Sequence, residues 1–138
     1  MNGDLSRDKE KETMKQLRVE KEFIKAHEFE NNKEITEVDL FNTMVIFSNK
    51  AFANCENLKN VYFGLDITRI GNGTFENCKN LTDVWFAITD KEKFIEIAED
   101  AFWGCKQQIT FHIFASARDN KYLNDYARRH GFRVEGML

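Results

Sequence analysis

Ala51-Phe52-Ala53-Asn54-Cys55-Glu56-Asn57-Leu58-Lys59-Asn60-Val61-Tyr62-Phe63 returns 23 positions later as Thr74-Phe75-Glu76-Asn77-Cys78-Lys79-Asn80-Leu81-Thr82-Asp83-Val84-Trp85-Phe86. Phe, Asn, Cys, Asn, Leu, Val and the final Phe coincide, so the chain holds an internal repeat. Stepping back by 23 gives Phe29-Glu30-Asn31-Asn32-Lys33-Glu34-Ile35-Thr36-Glu37-Val38-Asp39-Leu40, with Asn32 in the place of the cysteine. Stepping forward by 27 gives Ala101-Phe102-Trp103-Gly104-Cys105, then Gln108, Phe111 and Ile113 where the other copies carry Leu, Val and Phe.

Four copies at spacings of 23, 23 and 27 with a Leu-x-x-Val-x-Phe core are the signature of a leucine-rich-repeat solenoid, one coil per copy. Side chains of a strand alternate between its two faces. Val38 and Leu40, Val61 and Phe63, Val84 and Phe86, and Phe111 and Ile113 therefore face the core, from four parallel strands on the concave side. The rest of each coil repeats as well. Met44-x-x-Phe47-Ser48, Ile67-x-x-Ile70-Gly71 and Phe94-x-x-Ile97-Ala98 align, predicting a short extended segment and then a helical turn around Phe-x-x-Cys. The extra residues of the third coil fall at Thr89-Asp90-Lys91-Glu92, a polar loop.

Helices are expected at both ends. Met14, Leu17, Phe23 and Ile24 recur on one side of a charged helix over 9–28, and residues 1–23 form an N-terminal cap. Residues 24–115 form about four coils. In the C-terminal cap, 116–138, Asp119 or Asn120 starts a helix that ends at Gly131, with Leu123, Tyr126, Ala127 and His130 on one face and Phe132 and Val134 behind it. The expected class is α/β.

Composition excludes several functions. The 138 residues carry 20 basic and 23 acidic side chains, a net charge of -3, which offers nucleic acid no electrostatic attraction. No apolar run approaches a membrane span, and polar Met1-Asn2-Gly3-Asp4 lacks the apolar segment of an export signal, so the chain as written is expected in the cytoplasm. Thirteen Phe and no Pro point to a core with one bulky ring per layer.

Ala/Thr-Phe-x-x-Cys-x-x-Leu-x-x-Val-x-Phe, Ile-x-x-Ile-Gly-x-x-Thr-Phe and the closing Tyr-Ala-Arg-Arg-His-Gly-Phe together resemble the BspA-like leucine-rich repeats over about residues 24–134. The resemblance implies a cell-surface or secreted protein engaged in adhesion or in binding host proteins. Gly64, Ala87 and Phe114 stand where family repeats often place Pro.

Cys55, Cys78 and Cys105 lie a coil apart with no Cys-x-x-Cys, and the three His lack ligand spacing, so a ladder of buried thiols is expected rather than a metal site. A Cys55–Cys78 bridge is the lesser alternative. No cofactor is called for. The outward strand positions form three rows: Asp39, Tyr62, Trp85 and His112; Glu37, Asn60, Asp83 and Thr110; Phe41, Gly64, Ala87 and Phe114. Exposed aromatic clusters mark interaction surfaces. Tyr62 and Trp85, supported by Asp39, Asp83, Phe41, His112 and Phe114, are therefore the candidate site for a protein or peptide, with a glycan on Trp85 as the alternative ligand.

Catalysis is disfavoured. Asp39 and Asp83 stand near the separation of paired glycosidase carboxylates and His112 could act as a base, but no nucleophile or oxyanion hole accompanies them. Gly71-Asn72-Gly73 is a turn within the repeat, not a phosphate loop. The remaining alternative is a structural segment or intracellular scaffold of a longer repeat protein.

Overall fold

A computed structural model describes residues 15–46 and 49–137. The longer strand of each coil is built where the repeat has Val-x-Phe or its equivalent: β3 (Glu37–Leu40), β5 (Asn60–Phe63), β7 (Asp83–Phe86) and β9 (Thr110–Phe114). Two more join them, β1 (Gln16–Arg18) and β10 (Arg133–Met137), giving one parallel sheet of six strands in the order β1-β3-β5-β7-β9-β10. The short extended segments β2 (Phe23–Ile24), β4 (Val45–Ile46), β6 (Arg69–Ile70) and β8 (Glu96–Ile97) form a second parallel sheet. The core lies between the two.

The repeat residues make that core as the alternation requires. Val38, Leu40, Val61, Phe63, Val84, Phe86, Phe111 and Ile113 are all buried. The first Phe of each copy forms a continuous stack, Phe29 on Phe52 at 5.1 Å, Phe52 on Phe75 at 5.7 Å and Phe75 on Phe102 at 5.3 Å. At the fourth coil Gln108 breaks the apolar pattern and is exposed, while neighbouring Ile109 is buried in its stead.

The bends at Phe-x-x-Cys are not the helical turns expected. Asn31, Asn54, Asn77 and Gly104 adopt left-handed φ of 66°, 61°, 60° and 83°, which ends any right-handed turn there. Alternate amides consequently point to the next coil: Phe52 N donates to Thr74 O and Asn54 N to Glu76 O, while Ala53 N and Cys55 N donate locally to Lys50 O and Phe52 O. The bend thus both turns the chain and bonds adjacent coils.

The thiols form the expected ladder. Each donates to the carbonyl of the Phe one coil earlier: Cys55 Sγ to Phe29 O at 3.4 Å, Cys78 Sγ to Phe52 O at 3.2 Å and Cys105 Sγ to Phe75 O at 3.3 Å. All three are free. Asn32, in the ladder's first place, accepts from Glu34 N and Ile35 N.

Two expectations about the first third of the chain are corrected. Across its described part, 15–28, the N-terminal segment is not a helix: β1 pairs with β3 and β2 with β4. Leu17 and Val19 occupy the core-facing positions of another coil, and pairing with β3 packs them against an existing core, which an isolated helix lacks. Residues 9–14 of the expected helix lie outside the described residues. In the second sheet Ile46, not Phe47, stands in register with Ile70 and Ile97, so the sequence alignment is off by one there. Phe47 and Ser48 lie outside the described residues.

After β9 a short 3-10 turn (Ala115–Ala117) leads to α1 (Lys121–His130), the helix expected at the C-terminal end. Asn120 is its N-cap, accepting from Leu123 N, and Gly131 at φ 73° ends it. Leu123, Tyr126 and Ala127 are buried. Phe132 and Val134 lead into β10, so the sheet continues past the helix by one strand more than the sequence pattern suggests.

Candidate functional site

The register of the larger sheet aligns the outward residues as expected. Asp39, Tyr62, Trp85 and His112 are successive partners, as are Glu37, Asn60, Asp83 and Thr110. The two edge strands lengthen the first row to Arg18-Asp39-Tyr62-Trp85-His112-Glu135. Of these six, β1 and β10 supply the two that the repeat pattern does not reveal.

The aromatic members are stacked along the row, Tyr62 to Trp85 at 5.9 Å and Trp85 to His112 at 3.7 Å with 11° between planes. Each polar tip also reaches diagonally to the preceding strand: Tyr62 Oη donates to Glu37 Oε1 at 3.3 Å, Trp85 Nε1 to Asn60 Oδ1 at 3.3 Å, and His112 Nε2 meets Asp83 Oδ1 at 2.7 Å. The row is therefore pre-organised, its rings held in fixed rotamers before any partner arrives. Burial, then the nearby Glu37 carboxylate, raises the Tyr62 phenol above its ordinary value.

Not every expected residue is equally accessible. Tyr62 and Trp85 are half-buried, Phe41 is 48% exposed, and Phe114 lies beside Met137 of β10. His112, expected on the open surface, is only 8% exposed. Trp85 covers one side of it, and Glu135 of the unanticipated β10 stands 3.7 Å from its Nδ1. Gly64 is buried against the Phe41 backbone, so close that a Cβ there would lie 1.9 Å from Phe41 O; at this point of the third row two coils touch backbone to backbone.

The carboxylates are engaged rather than poised. Asp39 Oδ1 accepts from Phe41 N at 2.9 Å, and Asp83 accepts from Thr82 Oγ1 at 2.6 Å besides contacting His112. Among the described residues no three His, Cys, Asp or Glu converge as a metal would require. Elsewhere, an open groove of about 190 Å³ lies between β8 and α1, lined by Ile95, Ile97, Tyr122, Asp125, Tyr126 and Arg129. That is smaller than the roughly 300 to 1,000 Å³ of ordinary ligand pockets.

This arrangement of coils can be set against known proteins. Residues 11–127 match the family model for the BspA type leucine rich repeat region, in 6 copies. The chain belongs to the BspA-type leucine-rich-repeat family. Neither the curated proteins nor the solved structures yielded a match. The model's 6 copies exceed the four read from spacing alone, and their start at residue 11 agrees with strands β1 and β2 preceding residue 29. Leucine-rich repeats of this family are generally non-enzymatic, are often used in protein binding, and are typically surface or secreted. Among the described residues no helix is long and apolar enough to cross a membrane.

Proposed function

We propose that this BspA-type repeat is a binding module, and that it takes a protein or peptide on the outer face of its larger sheet. The observation that carries the reading is the ordered row of Tyr62 and Trp85, half-exposed, stacked and flanked by Asp39, Asp83 and Phe41. Rigid aromatics lose little entropy on binding and are frequent hot spots. The acidic flank favours a partner that brings basic and apolar groups together. His112, stacked beside Trp85 in the same row, and Phe114, in the row beside it, complete the proposed surface.

Geometry weighs against a glycan. A sugar stacks on an open ring face, whereas both faces of the Trp85 indole are occupied, by Tyr62 and by His112. A peptide that contacts ring edges and the Glu37, Asn60 and Asp83 row needs no such displacement. Adhesion at a cell surface, in keeping with the family, is the setting in which such a module would act.

The test is a binding screen with the purified chain against a peptide library containing basic-aromatic sequences, repeated with Trp85→Ala and Tyr62→Ala. Each variant should keep its far-UV circular dichroism and lose more than about 1 kcal/mol of affinity. Ligands bound equally by wild type and both variants would remove this face from consideration.

A further inference from the structure

Among the described residues the larger sheet ends on two edge strands, and they are not alike. β1 has a neighbour only in β3 and β10 only in β9 among the described residues. Alternate N–H and C=O groups of such an edge point away from the sheet and offer a template for another strand. Because every pair in the sheet is parallel, a strand added to β10 in the same sense would have to present the kind of edge that β1 presents.

We infer that the chain associates with a second copy of itself head to tail, β1 of one copy adding in parallel to β10 of the other. Three successive register positions then match. Arg18 of one copy lies opposite Glu135 of the other, Leu17 opposite Val134, and Gln16 opposite Arg133. The row already sets polar groups across strands at these ends, Arg18 near Asp39 at 3.9 Å, besides Glu20 of its own segment at 3.1 Å, and His112 near Glu135 at 3.7 Å. The side chains of Arg18 and Glu135 are 67% and 61% exposed, open to further pairing. Leu17 and Val134, each only part-buried with one neighbouring strand, would gain a second.

The backbone phase agrees. Within the sheet, amides at the start of the later strand donate to carbonyls just before the earlier one: Asn60 N to Thr36 O, Asp83 N to Lys59 O, Thr110 N to Thr82 O and Arg133 N to Ile109 O. Continued by one step, this pattern has Val134 and Gly136 of β10 facing outward, and Gln16 and Arg18 are the β1 residues left to meet them, since Val19 N already donates to Asp39 O. The smaller sheet ends at β8 against α1, so the contact is confined to the larger sheet and is of the weak, transient class. A heterologous contact of this kind leaves one β1 and one β10 edge unused in the dimer, so assembly continues beyond it.

The experiment is sedimentation velocity on the full chain from about 10 µM to about 1 mM at low salt, a range that covers weak association. The weight-average mass should climb above 16.3 kDa with concentration and fall back as salt screens the ion pairs. Glu135→Arg and Arg18→Glu should each weaken association at least tenfold, with Glu135→Gln in between. An equimolar mixture of the two reversed variants should associate again and, alternating, grow beyond the dimer as the wild type does, because one copy's Arg at 135 meets the other's Glu at 18 while that other copy's Glu135 meets the first one's Arg18. Circular dichroism on each variant checks that it is folded. A wild type that stays monomeric throughout overturns the inference, and so does a mixture of folded variants that does not re-associate. An antiparallel β10-to-β10 dimer would leave Arg18→Glu associating like wild type, and that result overturns it too.

Discussion

Phe75 shows how a single position of the repeat acts. It is fully buried, stacked between Phe52 and Phe102 and met edge-on by Phe63 at 6.3 Å. Phe75→Ala should cost roughly 3 to 5 kcal/mol in urea unfolding, because three rings from the two neighbouring coils lose a partner and cannot collapse into the gap. Gly64 and Gly131 separate two reasons for glycine. Alanine at Gly131, where nothing lies within 4 Å but φ is 73°, should cost about 1 kcal/mol. At Gly64 the added carbon would meet Phe41 O at 1.9 Å, so the strands must part and the cost should reach about 1 to 3 kcal/mol. Equal losses in the two variants would contradict this assignment. Titration adds a further signature. Burial pushes the Cys105 thiol up to about 12 and raises the Tyr126 phenol, whose Oη donates to Ala98 O at 2.8 Å. A folded state that holds its protons longer than the unfolded one loses stability as pH rises. The contribution is whole below pH 9, the thiol's ordinary value, and fades as pH climbs toward 12. Urea midpoints should therefore fall progressively above pH 9, and a flat profile there would speak against the burial of these groups.

Among the elements, α1 depends most on one side chain outside it. Asn120 is fully buried: its Oδ1 accepts from Leu123 N at 3.1 Å, and its Nδ2 donates to Lys93 O at 2.8 Å and Asp90 O at 3.4 Å. The same residue thus caps the helix and fastens the loop that carries the third coil's extra residues. Asn120→Ala should cost roughly 2 to 4 kcal/mol, about 1 for the lost cap and the rest for carbonyls left unpaired. Asn120→Asp keeps the acceptor but cannot donate to the loop, so it should recover the helix and not the loop. Thermal unfolding together with hydrogen exchange at 89–94 distinguishes the two; if Asp restores full stability, the loop clamp is not needed. This element also shows where the sequence is legible. Strands β3, β5, β7 and β9 announce themselves because burial of alternate side chains repeats at a fixed spacing. β10 does not, since Arg133-Val134-Glu135-Gly136-Met137 lies at an edge, where solvent tolerates almost any residue. β1 and β2 are masked for a similar reason: Lys and Glu dominate that stretch, and with sparse apolar residues a helical period fits as well as a strand period. The candidate row was readable in its register but not in its exposure, because covering His112 required a strand the pattern does not mark.

At the scale of the whole molecule, a chain of coils in which each bonds chiefly to its neighbours has no single set of long-range contacts holding it together. Its stability should therefore be graded along the axis. β5 and β7 have strands on both sides, four-residue registers and fully buried Phe63 and Phe86 stacked at 5.4 Å. β1 has three residues, one neighbouring strand among the described residues, and Leu17 only part-buried. Native-state hydrogen exchange should find the amides of β5 and β7 the slowest, with β1 exchanging through local opening well below the global unfolding free energy. β10, though also an edge, packs against α1 through Phe132, whose N–H donates to Ala127 O at 2.8 Å, and should fall between the two. Strengthening the middle alone should not protect β1, since its exchange needs only the β1–β3 ladder to open. Uniform protection from β1 to β10, lost in one step with added denaturant, would instead show that the coils unfold as one cooperative unit.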